Sequence, residues 1–192
     1  MVHLMYLHGF FLSSPFSQKS ARHGGVDGRA KPGRLFSLPA NSHGAGGRRR
    51  VIQASIDKLG GEPVCFIGSS LGGYFANWAV EEGGGRAVLI NPAVRPYELL
   101  RHYIGPQRNY QTGEIHHIDV GYGDQLRKYE RPVSKPDQYW LMVQTGDTTL
   151  DYREAVERYP LSRQTVIEGG DHSFQNYVDW LPRIWEFAQE GK

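Results

Sequence analysis

The chain has 192 residues, of which 39% are apolar and 12% aromatic, and a formal net charge of +2. This length fits a single domain over residues 1–192, and the composition excludes a disordered or fibrous protein. No apolar run approaches the roughly 18 residues that a membrane helix needs, and no signal peptide is visible. The only cysteine, Cys65, excludes an intrachain disulfide and fits a reducing compartment. We therefore expect a cytoplasmic protein with no membrane partner.

Short apolar runs alternate along the chain with patterns of helical spacing. Predicted strands cover residues 4–7, 64–67, 87–90, 139–143 and 164–167. Predicted helices cover residues 71–80, 151–159 and 177–189. Because each strand is apolar throughout rather than at every second residue, the pattern predicts a mostly parallel sheet with helices on both faces. Ligands of such sheets bind beyond the carboxyl ends of the strands.

Residues 21–50 have an excess of positive charge. Seven basic side chains and one acidic side chain, Asp27, give this segment a net charge of +6. Such a stretch can bind nucleic acid or phosphate groups. The basic residues are not regularly interleaved with aromatic ones, as base stacking would require, so the pattern favours a solvated loop and no nucleic-acid partner.

Residues 68–72, Gly-Ser-Ser-Leu-Gly, fit the pattern G-x-S-x-G with Ser70 at its centre. In a nucleophile elbow the serine lies on a strained turn between a strand and a helix, and the residues two before and two after it must be small. A predicted strand precedes the pattern directly, and a predicted helix follows it. Ser69 lacks small residues at the matching positions. Ser70 is therefore the predicted nucleophile.

A serine nucleophile needs a base that accepts its proton and an acid that orients the base. Among the eight histidines, His172 follows a late apolar strand through a glycine-rich turn, which suits the chain order Ser, Asp, His. Asp147 follows the preceding long strand and is the predicted acid. Asp151 is the alternative, but it is better explained as a helix N-cap. One cysteine and no H-E-x-x-H spacing predict no metal site.

The same turn geometry suggests the remaining site residues. The backbone N–H of Leu71 and one from the loop after the first strand would form an oxyanion hole, with Phe10 as the predicted second donor and Phe11 as the alternative. In that loop we expect His8 to shape the site rather than to accept protons. Phe11 and Tyr74 are predicted to line an apolar acyl pocket, although aromatic residues near the turn fit the core equally well.

Seven segments resemble the small bacterial esterase family typified by YqiA, a branch of the α/β-hydrolases. They are residues 6–10 (YLHGF), 13–15 (SSP), 67–74 (IGSSLGGY), 91–96 (NPAVRP), 144–147 (QTGD), 150–153 (LDYR) and 163–170 (RQTVIEGG), followed by His172. The resemblance implies a compact α/β-hydrolase fold with a small lid or none. It also implies esterase activity, no cofactor, and a triad of Ser70, Asp147 and His172.

Residues 21–50 depart from the family's pattern, because they lack the apolar spacing of its first helix and second strand. Residues 23–29, His-Gly-Gly-Val-Asp-Gly-Arg, are too rich in glycine for a helix. A shift of one nucleotide would permit a helix-forming sequence there, so we hypothesise that this segment is translated out of frame. Residues 105–137 lie where a lid or a substrate-shaping insertion is usually found.

Together these patterns predict a serine esterase that hydrolyses acyl esters through an acyl-enzyme intermediate. Its partner would be a small-molecule acyl ester or thioester. Two alternatives stay open. One is an acyl thioesterase, which the sequence does not distinguish from an esterase. The other is a non-catalytic binding protein of the same fold, against which the intact serine, histidine and aspartate argue.

Overall fold

A computed structural model of the chain describes residues 1–9, 35–37, 44–108 and 115–190. Its strands are β1 (His3–Leu7), β2 (Leu35–Ser37), β3 (Val64–Ser69), β4 (Arg86–Ile90), β5 (Gly105–Arg108), β6 (Ile115–Ile118), β7 (Tyr139–Gln144) and β8 (Arg163–Ile167). Six of them form a sheet in the order β2-β1-β3-β4-β7-β8, and all neighbours in it are parallel. The strands β5 and β6 form a separate antiparallel pair.

The helices connect these strands and cover the sheet. They are α1 (Gly44–Asp57), α2 (Leu71–Gly83), α3 (Pro96–Leu99), α4 (Tyr122–Arg127), α5 (Tyr152–Arg158) and α6 (Leu181–Gln189). Short 3₁₀ turns cover Leu100–Tyr103, Pro136–Gln138 and Tyr177–Trp180. Within the described ranges, no helix has the length and apolar character needed to cross a membrane.

Apolar side chains cover both faces of the sheet, because successive residues of a strand point to opposite sides. On one face the strands contribute Met5, Leu7, Phe66, Leu89 and Leu141, which pack with residues of α1, α2, α4 and α5. On the other face they contribute Tyr6, Cys65, Val88, Trp140 and Met142, which pack with Ile184 and Phe187 of α6. This double covering explains why the central strands are apolar at every position.

Most predicted elements are confirmed within one to three residues. The five predicted strands correspond to β1, β3, β4, β7 and β8, and the three predicted helices to α2, α5 and the closing segment. That segment begins with a 3₁₀ turn before α6. At the edge of the sheet, β8 is only partly buried, with Val166 at 47% exposure.

The basic segment departs from its prediction where the structure describes it. Residues 44–50 belong to α1 rather than to a solvated loop, and the side chain of Arg48 is only 8% exposed. The loop prediction is therefore wrong for these residues. Residues 23–29 lie outside the described ranges, so the out-of-frame hypothesis stays a prediction.

Candidate active site

Ser70 occupies the junction between β3 and α2, at the carboxyl edge of the sheet. Its backbone has φ 54° and ψ −123°, in the positive-φ region that residues other than glycine rarely adopt. The backbone N–H of Ser70 donates to the carbonyl of Ile90 at 3.1 Å. The carbonyl of Ser70 accepts the N–H groups of Gly73 and Ala93 at 2.9 and 3.0 Å. These bonds hold a strained turn in place, as a nucleophile elbow requires.

The glycines around Ser70 are needed because backbone segments approach each other closely there. A Cβ atom on Gly68 would lie 2.5 Å from the carbonyl oxygen of Gly72, across the turn. A Cβ atom on Gly72 would overlap the carbonyl oxygen of Leu7 at the end of β1. Both close approaches involve backbone atoms, which cannot move aside without distorting the sheet. The small residues predicted on either side of the serine therefore have a direct structural cause.

His172 and Asp147 lie together on the loops that follow β8 and β7. The Nδ1 atom of His172 is 2.7 Å from Oδ2 of Asp147, whose side chain is only 1% exposed. The other oxygen, Oδ1, accepts the backbone N–H groups of Thr149 and Leu150 at 2.8 and 3.0 Å. A carboxylate facing Nδ1 favours the tautomer with its proton on that atom, which leaves Nε2 free to accept a proton.

A short hydrogen-bonded path joins the serine turn to the histidine loop. The carbonyl of Ile90 accepts the N–H of Ser70, and the next residue, Asn91, donates Nδ2 to the carbonyls of Asp171 and His172 at 3.0 and 3.2 Å. Because Ile90 and Asn91 are consecutive, the structure brings the predicted nucleophile and base to the same sheet edge.

The loop after β1 lies against Ser70 from the other side. A Cβ atom on Gly9 would be 3.2 Å from Cβ of Ser70 and 3.6 Å from its Oγ. The guanidinium of Arg48 donates to the carbonyls of His8 and Gly9, at 2.7 and 3.2 Å. The ring of His8 packs edge-on against Tyr6, with the ring centres 4.7 Å apart. A buried arginine from α1 thus holds the loop in which the second oxyanion donor is predicted.

Burial and charge keep His8 neutral. Burial, aided by the positive charge of Arg48, lowers the pKa of His8 to about 4. At neutral pH this ring carries no charge and would bind a proton only weakly. The electrostatics agree with the expectation that His8 shapes the site rather than accepts protons.

The family and the fold follow from comparison with known proteins. The family model described as an uncharacterised protein family, UPF0227, matches residues 3–189. The chain belongs to this family, the YqiA family. Its segment-by-segment resemblance is therefore confirmed at the level of the family.

Solved structures similar to this UPF0227 protein share the α/β-hydrolase fold. Est1E from Butyrivibrio proteoclasticus has a TM-score of 0.70 at 14% identity, over 97% of this chain and 86% of its own. A structure from work on the metagenome-derived lipolytic enzymes LipS and LipT has a TM-score of 0.68 at 13% identity, over 97% of this chain and 93% of its own. The esterase domain of a Rhodothermus marinus protein has a TM-score of 0.65 at 16% identity, over 96% of this chain and 86% of its own. At these identities the likeness shows the fold alone.

The other predicted site residues of this UPF0227 protein divide into three groups. Leu71 is the first residue of α2, where a backbone N–H has no acceptor within the helix. Tyr74 is only 4% exposed, and its hydroxyl donates to the carbonyl of Leu126 at 2.7 Å, so it packs in the core. Phe10 and Phe11 lie outside the described residues. Their roles, and any contact of Tyr74 with substrate, stay predictions.

The structure gives the neighbouring alternatives other positions. Ser69 ends β3 and is only 3% exposed. Asp151 is the N-cap of α5, where Oδ1 accepts the N–H of Arg153 at 3.0 Å. Cys65 is fully buried, and this burial raises the pKa of its thiol to about 12. Across the described residues, no group of three or more His, Cys, Asp or Glu side chains could hold a metal ion.

Three residues at the site were missed by the sequence reasoning. In the sequence, Asn91 and Gln144 stand out only as members of segments that resemble the family, and Arg48 only as one charge in a basic run. Asn91 and Gln144 each lie where a strand of the sheet ends, which is a signal that could have identified them. Nothing in the glycine- and arginine-rich sequence around Arg48 indicates that its side chain is buried.

Proposed function

We propose that this protein is a serine esterase in which Ser70, His172 and Asp147 act as a catalytic triad on acyl esters. The observation that carries the proposal is the 2.7 Å hydrogen bond from His172 to Asp147, at the same sheet edge as the strained turn of Ser70. Proteins of this fold described as an esterase or as lipolytic enzymes support the same chemistry. The chain would work as a single domain.

In the first half-reaction, Oγ of Ser70 attacks the acyl carbonyl carbon while its proton passes to Nε2 of His172. Asp147 stabilises the imidazolium that forms. The carbonyl oxygen becomes an oxyanion, for which the N–H of Leu71 is the first donor and the N–H of Phe10 the predicted second. When the tetrahedral intermediate collapses, the bond to the alcohol breaks and the alcohol takes the proton from His172. An acyl-enzyme on Ser70 remains.

In the second half-reaction, water attacks the acyl-enzyme and gives one proton to Nε2 of His172. Collapse of this second intermediate breaks the bond to Oγ of Ser70, which takes the proton back, and the carboxylic acid leaves. The balance is one ester and one water consumed, and one acid and one alcohol released. The reaction as written uses only these side chains, backbone N–H groups and water.

Labelling and kinetics of a serine pair test the proposal. We expect a fluorophosphonate to modify Ser70 covalently, and Ser70→Ala to abolish labelling and lower kcat on p-nitrophenyl esters by roughly 10³-fold or more. The matched control is Ser69→Ala, which removes the adjacent hydroxyl and should keep both labelling and turnover. Near-normal turnover in Ser70→Ala would show that the nucleophile is misidentified.

A panel of p-nitrophenyl esters and acyl thioesters of increasing chain length separates the remaining possibilities. A larger kcat/KM on esters supports the esterase, and a larger kcat/KM on thioesters would make the protein a thioesterase with the same triad. A folded chain that neither turns over any substrate nor reacts with the phosphonate would be the non-catalytic binding protein. The panel also shows whether Phe11 and Tyr74 affect the preference for acyl length, once each is replaced by alanine.

A further inference from the structure

The loop that carries His172 has a backbone shape that its own residues do not favour. Phe174 and Asn176 have φ values of 58° and 59°. For a bulky side chain such as Phe174, which is only 1% exposed, this region is a genuine outlier. Contacts from outside the loop must therefore maintain its shape.

Asn91 provides one set of these contacts. Its side chain is 3% exposed, and both bonds of its Nδ2 amine go to the histidine loop, at the carbonyls of Asp171 and His172. Its Oδ1 accepts the backbone N–H of Gln144 at 3.0 Å. The backbone of Asn91 has φ 39°, and asparagine is one of the few residues that tolerate positive φ.

Gln144 provides the second set. Its Oε1 accepts the backbone N–H groups of Asp171 and Gln175, at 3.1 and 2.9 Å. Its Nε2 donates to the carbonyl of Gln175 at 3.0 Å. A Cβ atom on Gly170, which has φ +72°, would overlap this side chain, so the loop lies directly on it. Gln144 is 3% exposed and is linked to Asn91 through its own N–H.

The chemistry of the partners fixes which way each amide points. Carbonyl oxygens only accept hydrogen bonds, and backbone N–H groups only donate them. The amine of Asn91 faces two carbonyls and its oxygen faces an N–H, so a flipped amide, or an aspartate, would place oxygen against oxygen. The same holds for Gln144, whose oxygen faces two N–H groups and whose amine faces a carbonyl. Only a carboxamide satisfies both sets of partners.

We propose that Asn91 and Gln144 are positioning residues, whose side-chain amides fix the loop of His172 relative to Ser70. This inference rests on the proposed function, because it assigns the loop's position a role in proton transfer between those two residues. Asn91 is the direct connection, since Ile90 before it binds the N–H of Ser70. Gln144 supports the same loop from the strand that precedes Asp147. Both act through His172 and touch no substrate.

The test uses two isosteric variants, Asn91→Asp and Gln144→Glu, which replace the donating amine by a carboxylate oxygen that repels the carbonyls it faces. Aspartate also tolerates positive φ and keeps an oxygen for the N–H of Gln144, so Asn91→Asp should fold. We expect kcat on a short p-nitrophenyl ester to fall at least tenfold in Asn91→Asp, with KM within about threefold of wild type, because displacement of a reacting group lowers the rate of the chemical step. Gln144→Glu should show a smaller loss in the same direction.

A second readout does not depend on turnover. We expect faster hydrogen exchange at the backbone amides of residues 171–175 in both variants. We also expect a shifted or broadened NMR signal from the proton between His172 and Asp147 in Asn91→Asp. The matched control is Asn176→Asp, the same change at an exposed residue of the same loop. Asn176 also has a positive φ, of 59°, compared with 39° for Asn91. It should leave kcat, exchange and the NMR signal as in wild type.

The outcomes separate this inference from the proposed function. If the phosphonate labels Ser70 in wild type and labels Asn91→Asp at the same rate, with unchanged kcat, the positioning role is wrong and the triad stands. A wild-type protein that is neither labelled nor active would overturn the proposed function instead. A variant with lost activity but unchanged exchange and an unchanged NMR signal would also contradict the positioning role, because the loop would not have moved.

Discussion

The loop that follows β1 lies against Ser70, and the loop that carries His172 lies at the same edge of the sheet, but different chemical groups hold the two loops. The carbonyls and N–H groups of the histidine loop bind two neutral amides, Asn91 and Gln144. The carbonyls of the β1 loop, at His8 and Gly9, bind the buried guanidinium of Arg48. One side of the site is thus held by uncharged groups at strand ends, and the other by a long, charged side chain from α1.

The difference has consequences for stability and for pH. A neutral amide costs less to bury than a guanidinium, and it does not titrate. Gln144 ends β7 and Asn91 directly follows β4, whereas Arg48 reaches the site through the several rotatable bonds of a longer side chain. We call the loop of His172 with Asn91 and Gln144 the base side of the site, and the loop after β1 with Arg48 the β1 side. We expect the base side to be the more rigid, and the β1 side to be the one that acid and substitution loosen first.

The largest expected effect tests whether the base side depends on one charge. In Asp147→Asn, the amide oxygen can still accept the N–H groups of Thr149 and Leu150, but the amine would face Nδ1 of His172. The imidazole would then carry its proton on Nε2 and could not accept one from Ser70. We expect kcat on an acyl ester to fall by about 10³-fold or more, with the free energy of unfolding within about 1 kcal/mol of wild type.

The matched control for this change is Asp151→Asn. Asparagine caps a helix as well as aspartate, so α5 should stay intact and kcat should not change. A loss of less than tenfold in Asp147→Asn would mean that the carboxylate is not required. An equal loss in Asp151→Asn would point to a general disturbance of the loops after β7 rather than to the tautomer of His172.

The sequence allowed prediction of the turn at Ser70 and of the pairing of His172 with Asp147. Glycine spacing marks a turn in which backbone atoms nearly touch, and both partners follow buried strands whose carboxyl ends meet at one edge. Asn91 could not be predicted in its role, because its partners are backbone carbonyls 80 and 81 residues away. Side-chain patterns carry no information about which distant carbonyls need a donor.

The burial of Arg48 could not be predicted for a different reason. A cluster of arginines among glycines is usually solvated, and only the tertiary structure places one of them under the β1 loop. The aromatic positions were equally ambiguous, since Tyr74 has helical spacing that suits the core as well as a pocket. The out-of-frame hypothesis for residues 21–50 stays open, and resequencing the gene with peptide mapping of residues 23–47 would decide it.

The intermediate effect tests whether the β1 side depends on Arg48. In Arg48→Met the carbonyls of His8 and Gly9 lose their donor, which lowers stability. The variant no longer buries a charged guanidinium, and this offsets part of the loss. We expect a net loss of about 1 to 2 kcal/mol in the free energy of unfolding and a fall in kcat of roughly tenfold. Urea unfolding measures the loss of stability, and ester hydrolysis measures the fall in kcat.

The control for this variant is Arg50→Met, at an exposed position on the same helix. It removes a charge and leaves the β1 loop untouched, so both quantities should match wild type. If Arg48→Met were as active and as stable as Arg50→Met, the contact between α1 and the β1 loop would have no role in the site, and the comparison between the two sides would fail.

The smallest expected effect concerns the response of the β1 side to acid. The pKa of His8 is lowered to about 4 in the folded protein, whereas an unfolded histidine has a pKa of about 6.5. The unfolded chain therefore binds a proton first, so the contribution of His8 to stability is complete above pH 6.5 and is lost as the pH falls towards 4. Because the ring is partly exposed, we expect this loss to be about 1 to 2 kcal/mol.

Urea unfolding at pH 7 and pH 4.5 measures this loss. In His8→Gln, the difference in the free energy of unfolding between these two pH values should be smaller by that amount. His102→Gln, at an exposed histidine, should keep the wild-type difference. An unchanged pH dependence in His8→Gln would show that the charge state of His8 does not affect the β1 side.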